Sequence, residues 1–212
     1  MDAAPDRPFD AVLCDIDGVI RHYRTDVLSR LEERAGLPVG TTAAVGFAPP
    51  HGEALVAGLL SREQWERAVV EGLGADVPHA DAHALARALT HAEARVDDAV
   101  VRLLRRVRAH CPVVLVTNAT PWLDDDLERL GLRDLADDVV NSSSVGVAKP
   151  DVRIYEIAAA RAGVPVERCL FVDDREQNVA AAAALGMTTL LYRDAATLGA
   201  TLEPFTRAGT RA

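Results

Sequence analysis

The chain has 212 residues, 49% of them hydrophobic and 26% charged, the proportions of a globular domain with a substantial core or of a core plus one small insertion. A net charge of −9 excludes nucleic acid or an anionic membrane as partner, because no basic stripe can neutralise a run of phosphates; a single phosphate in a pocket is compatible with it. Cys14, Cys111 and Cys169 are odd in number, lack metal-ligand spacing and fall in or beside apolar runs, so reduced thiols in a cytoplasmic protein are expected, with no apolar leader in Met1 to Pro8 and no run of membrane-spanning length.

Phe9 and the run Ala11 to Cys14 predict a short buried strand that ends directly in Asp15, Ile16, Asp17 and Gly18. Strand side chains alternate, so Asp15 and Asp17 leave on the same side, and Gly18 permits a sharp turn. Taken alone, such a run is equally an ordinary acidic turn. From Arg21 to about Arg95 the periodicity is helical, without strands. Asp26 to Arg34 reads as a short helix ended by Gly36 and Pro38, and Gly46 to Gly52, with Pro49 and Pro50, reads as a loop. Ser61 and Gln64 form a capping-box pattern ahead of a helix with Trp65, Ala68 and Val69 on one face, and Asp81 to Thr90 is a further helix.

Beyond Val96 helices and strands alternate. Asp97 caps a helix bearing Val100, Leu103, Leu104 and Val107, and Val113 to Val116 is a strand buried on both faces, ending in Thr117 and Asn118. Thr120 and Pro121 predict the next helix start, with Asp124 to Asp126 complementing its positive end rather than binding a metal. Val139 and Val140 form a brief strand before a loop, Ser142 to Ser144, and then Gly146, Lys149 and Pro150. Asp151 caps a helix that ends at Gly163. Cys169 to Val172 is a strand that again ends in acid, Asp173 and Asp174; Asn178 lies four residues on, and Thr188 to Tyr192 supplies the last strand. This alternation predicts an α/β fold, a Rossmann-like, mostly parallel sheet with helices on both faces, whose ligands sit at the C-terminal strand ends. Four carboxylates and a lysine gathered there would repel without a cation, and hard oxygen donors suit Mg2+.

The ordered pieces AVLCDIDGV, VVLVTNAT, VGVAKPD and CLFVDDREQNVAAAAALGM resemble the haloacid dehalogenase superfamily of phosphohydrolases from Phe9 to Tyr192. The resemblance implies a core over 1–20 and 96–212 and an inserted α-helical cap over 21–95, of the type found in that superfamily's first subgroup. It implies Mg2+-dependent hydrolysis of a small phosphomonoester, a sugar phosphate being one such substrate, through an aspartyl-phosphate. Asp15 matches the nucleophile and Asp17 the general acid and base. Thr117, Asn118 and Lys149 match the phosphate-binding residues. Asp174 matches the direct metal ligand, together with Asp15 and the Asp17 backbone carbonyl, and Asp173 a direct or water-mediated one. Ala119 departs from the glycine common in relatives. Crowding among carboxylates is expected to keep a proton on Asp17. Asn178 is expected to support the metal site, and Arg21 and His22, with Arg24 beside them, to meet substrate at the cap entrance. A phosphomutase would keep the same site; a haloacid dehalogenase would not need Asp17, Asp173 and Asp174; a binding module would not need the site intact. The partner expected is a small phosphorylated metabolite, and oligomeric state has no signature in the sequence.

Overall fold

The computed structural model describes residues 7–206. Its centre is a five-stranded parallel sheet built from β1 (Ala11–Cys14), β4 (Val113–Thr117), β5 (Asp138–Asn141), β6 (Cys169–Asp173) and β7 (Thr188–Leu191), in the order β5-β4-β1-β6-β7. β1, β4 and β6 are buried along their whole length, which is why their sequences are continuous apolar runs rather than alternating ones. Alternation instead divides each strand between two cores. Val12 and Cys14 join α6 (Asp98–Arg108) and α11 (Ala195–Thr206) on one face, where Val100, Leu104, Leu198 and Leu202 are fully buried. Ala11 and Leu13 meet α9 (Val152–Ala162) and α10 (Glu176–Ala184) on the other, around Ile154, Tyr155 and Phe171. The chain moves outward from β1 through β4 to β5, then crosses back to β6 on the other side. This reversal opens a crevice at the C-terminal end of β1.

Between β1 and α6 the chain leaves the sheet through β2 (Arg21–Tyr23), forms α1 (Asp26–Arg34), α2 (Thr41–Gly46), α3 (His51–Val56), α4 (Arg62–Leu73) and α5 (His79–Thr90), and returns through β3 (Ala94–Val96). β2 and β3 pair antiparallel, Arg21 opposite Val96. The expectation of a strand-free stretch is therefore corrected at both ends: the departing and returning chains run side by side, and their pairing satisfies the backbone groups there. The capping box of Ser61 and Gln64 forms as expected, as do the caps made by Asp97 and Asp151. The α2 helix was not visible from local pattern because its cap comes from elsewhere. Glu32 in α1, buried at 1% exposure, accepts from the N–H groups of Gly40 (2.8 Å) and Thr42 (2.7 Å). The expected loop from Gly46 to Gly52 is shortened, because α3 begins at His51.

Two further corrections concern the sheet's upper edge. Thr120 does not cap a helix. Residues Thr120 to Trp122 make a turn, and α7 (Leu123–Arg129) begins three residues later, while Asn141 Nδ2 holds the Thr120 carbonyl at 2.9 Å. The serine run is no loop but a single helical turn, α8 (Ser142–Val145), capped by Asn141. No helix among the described residues is long and apolar enough to cross a membrane.

Candidate active site

Asp15 sits one residue past β1 and stays tied to the sheet, its N–H donating to the Val172 carbonyl at 2.9 Å. The chain then turns at once: the Ile16 carbonyl accepts from Ile20 and Arg21 N–H, both at 2.8 Å. Gly18 is required twice. Its φ of 85° lies in the left-handed region, and a Cβ there would collide with the Asp174 carboxylate.

Lys149, 5% exposed, reaches from the loop after α8 into the centre of the strand ends. Its Nζ lies 2.8 Å from Asp15 Oδ1, 2.7 Å from Asp173 Oδ2 and 2.9 Å from the Val116 carbonyl, so all three N–H groups of the ammonium have acceptors. Asn118 fixes the lysine's backbone from both sides. Its Oδ1 accepts from Lys149 N–H (2.7 Å), and its Nδ2 donates to the Lys149 carbonyl (2.8 Å). Both ends of the Asn118 side-chain amide thus place Lys149. The Ala119 N–H is likewise engaged, by Ser142 Oγ at 3.2 Å, and that hydroxyl lies 2.7 Å from the Val56 carbonyl in α3.

Asp173 is fully buried and satiated. Besides Lys149 it accepts from Arg175 N–H (2.9 Å) and from Asn178 Nδ2, which spans both of its oxygens (3.0 and 3.1 Å). Asn178 therefore holds Asp173, and Asp173 holds Lys149. Asp174 is different: its Oδ1 is buried with no hydrogen-bond partner, as is Thr117 Oγ1. Buried polar atoms without partners are uncommon and costly, so two of them at one sheet end mark where an external group completes the site. Asp15, Asp173 and Asp174 each bring a carboxylate oxygen within 4.8 Å of the others. This hard, anionic oxygen set fits Mg2+.

The electrostatics agree with that fit. Burial pushes the Asp15 carboxyl up to about 7 against the pull of Lys149, and burial followed by the neighbouring Asp173 raises Asp174 as well. An acid whose pKa is raised on folding binds a proton in the folded state that it lacks when unfolded. Stability from this source is therefore present below about pH 4 and is lost as pH rises to about 7. A divalent cation reverses the loss by favouring the ionised form. The gain in melting temperature on adding Mg2+ to chelator-treated protein is expected to grow as pH rises through this window, as differential scanning fluorimetry would measure; a gain that shrinks with rising pH would contradict the carboxylate set as its ligand.

Asp17 is paired with a cation: its two oxygens meet Arg21 Nε at 2.6 Å and Nη2 at 2.9 Å, and Arg21 Nη1 continues to Asp126 Oδ2 at 3.1 Å. Burial opposes the charge on Arg21, but the bond to Asp17 and the charges of Asp17, Tyr23 and Asp126 together outweigh it and hold the guanidinium above its usual range. Arg21 is 2% exposed and sits over the Tyr23 ring, so it anchors Asp17 while bordering the cavity. His22 alternates away. It pairs with Arg95 across the ribbon and does not line the cavity that Asp17 and Arg21 border. Asp126 was expected only to complement a helix dipole, and its 105-residue separation from Arg21 left no local signal of its role. The three thiols are free and buried, and burial raises all three, which makes none of them a nucleophile.

A cavity of about 660 Å³ opens from Asp17 and Asn118 between the sheet end and the helical insertion. Phe47, Trp65 and Trp122 form part of its wall, with ring centroids 5.4 Å apart for the first pair and 6.3 Å for the second.

Comparison with known proteins gives one family: the model for haloacid dehalogenase-like hydrolases matches residues 9–186. Among curated proteins, pyrimidine 5'-nucleotidase YjjG of Escherichia coli is 40% identical over 80 residues, covering 37% of this chain and 36% of the relative. Phosphatase MT3486 of Mycobacterium tuberculosis is 38% identical over 88 residues, covering 36% and 41%. These matches thus span about two fifths or less of the relatives' own length. Among solved structures, a haloacid dehalogenase family enzyme of Bacteroides thetaiotaomicron, in complex with magnesium and inorganic phosphate, superposes with a TM-score of 0.66 at 19% identity over 87% of this chain and 94% of that one. At that identity the likeness establishes the fold.

Proposed function

The chain belongs to the haloacid dehalogenase-like hydrolase family, and from that premise we propose that it hydrolyses a small phosphomonoester through a phosphorylated Asp15. The observation that carries this reading is the buried Lys149 ammonium bridging Asp15 and Asp173, beside the unpartnered Thr117 Oγ1 and Asp174 Oδ1. A carboxylate approaching a phosphate dianion meets like-charge repulsion, which a fixed, desolvated ammonium offsets far better than water does. Mg2+, held by Asp15, Asp174 and the Asp17 carbonyl, would supply the remaining positive charge and polarise the phosphoryl oxygens. The nucleotidase and phosphatase relatives and the magnesium–phosphate complex support the same assignment.

In this reading an Asp15 oxygen attacks phosphorus as the bond to the alcohol oxygen breaks, with Thr117 Oγ1 and the Asn118 N–H donating to phosphate oxygens. Once Arg21 has released it, Asp17 takes up a proton from solvent and gives it to the departing alcohol, then removes one from the water that attacks the phosphorus of the phosphorylated Asp15. Phosphate leaves and the Asp15 carboxylate is restored. Arg21 must release Asp17 for both transfers, so it acts as a positioning residue. The segment 21–95 acts as a cap on a core of 1–20 and 96–212, because residues from both line the cavity. Purified protein with Mg2+ is expected to release inorganic phosphate from members of a phosphomonoester panel and to lose that activity in excess chelator. A panel that stays silent with Mg2+ would overturn the assignment in favour of a binding module.

A further inference from the structure

Building on the phosphomonoesterase reading, we infer that the alcohol of the substrate carries a planar aromatic ring, which stacks against the Phe47–Trp65–Trp122 wall of the cavity above Asp17. Three observations carry this. The first is room. A cavity of about 660 Å³ is far larger than a phosphate group needs, since a phosphate matches a few waters at about 30 Å³ each, and it falls within the range of small-molecule sites.

The second is the wall. Trp65 is 4% exposed and fixed by its Nε1 donating to the Gly46 carbonyl at 2.8 Å; Trp122 carries the Arg62 guanidinium 4.6 Å from its ring centre. Phe47 extends this rigid pair, yet 54% of its surface is uncovered, and Tyr23, 45% uncovered, borders the same cavity. Partly exposed rings on a cavity wall offer an apolar surface that a flat aromatic group covers favourably.

The third is the state of the polar groups nearest Asp17. Arg21 is bonded to Asp17 and Asp126, Asp126 also to Arg129 at 2.6 Å, Asn118 to Lys149, and Arg62 to the Thr90 carbonyl at 3.1 Å. A bare sugar would meet several wall groups that already have partners, whereas a flat ring asks no hydrogen bond of them. The sugar-phosphate expectation rested on Arg21, His22 and Arg24: the first is anchored, the second lies off the cavity, and the third lines it but is shared between Asp26 at 3.4 Å and Glu93 at 3.5 Å.

The test uses pairs of primary alkyl esters that differ chiefly by the ring: uridine 5'-monophosphate against ribose 5-phosphate, and phenethyl phosphate against ethyl phosphate, with acetyl phosphate as a ringless activated donor. The ring-bearing member is expected to have a kcat/KM roughly tenfold or more above its partner in at least one pair, the order of one stacking contact. The exposed Phe47→Ala change is expected to reduce that ratio about fivefold, chiefly through KM, and Trp122→Leu to reduce it too. Ratios near one in both pairs, or a ratio untouched by Phe47→Ala in protein of unchanged melting temperature, would overturn the inference while phosphate release from any ester sustains the phosphatase assignment. Silence from every donor, acetyl phosphate included, would overturn both.

Discussion

Asp15→Asn is expected to lower phosphate release on the order of 10⁴-fold or more, the scale on which an enzyme loses rate when its nucleophile is removed. The substitution is nearly isosteric. An asparagine oxygen can still accept from Ile16 N–H, which now donates to Asp15 Oδ1 at 2.7 Å, and Lys149 keeps Asp173 at 2.7 Å and the Val116 carbonyl at 2.9 Å. What disappears is the anion proposed to attack phosphorus. Because burial raises the Asp15 carboxyl to about 7, ionising it costs the metal-free fold stability above that pH, and a neutral amide does not carry this cost. In chelator at pH 8 the variant is therefore expected to melt at or above the unaltered protein while losing its activity. A fall in melting temperature paralleling the fall in rate would assign Asp15 a structural role instead.

Lys149→Met has the second largest expected effect, and it acts on both fold and rate. The methionine fills similar space but leaves Asp15 and Asp173 as buried acids without their shared cation. Removing one partner of a buried charge pair costs about 3–5 kcal/mol, which in a domain of this size is a fall in melting temperature of ~6–20 °C. Loss of Lys149 takes away the attraction that now opposes burial at Asp15, so that carboxyl moves further up from its raised position. The sign of the pH dependence follows. Protonation relieves the variant, its deficit is smaller at pH 5 than at pH 8, and thermal melts at the two values measure the difference. Phosphate release is expected to fall about 10²–10³-fold, as for loss of one preorganised stabilising charge. A variant as stable as its parent at pH 8 would contradict a lysine that unites these acids.

The parts of the molecule legible in the sequence were those encoded locally. β1, β4 and β6 announced themselves as apolar runs because both faces of the sheet are covered, and their acidic or polar ends placed Asp15, Thr117 and Asp173 at one edge. Caps within four residues of their targets, as at Ser61, Asp97 and Asp151, were equally plain. What stayed hidden depends on distant partners. The α2 helix is capped by Glu32, and the β2–β3 ribbon joins Arg21 to Val96 across the whole insertion. Thr120 has the residue type of a cap, but Asn141 takes its carbonyl from another strand end and the helix starts later. At the site, residue types identified the members of the constellation and not their connections. Asn118 and Arg21 both appeared to face substrate, whereas one grips the Lys149 backbone and the other the Asp17 carboxylate. The first role depends on Lys149, 31 residues away, and the second on Asp126, 105 residues away, which holds the other end of the guanidinium.

Asp15 as the atom donor to phosphorus is the claim on which the rest depends. Enzyme quenched in acid during turnover, reduced with borohydride and mapped by peptide mass spectrometry tests it, since an acyl phosphate is reduced to the alcohol where an ordinary carboxylate is not. Reduction confined to the peptide bearing Asp15, and only when substrate and Mg2+ are both present, is the expected result; turnover with that peptide unaltered, or with the label on any other residue, would contradict it.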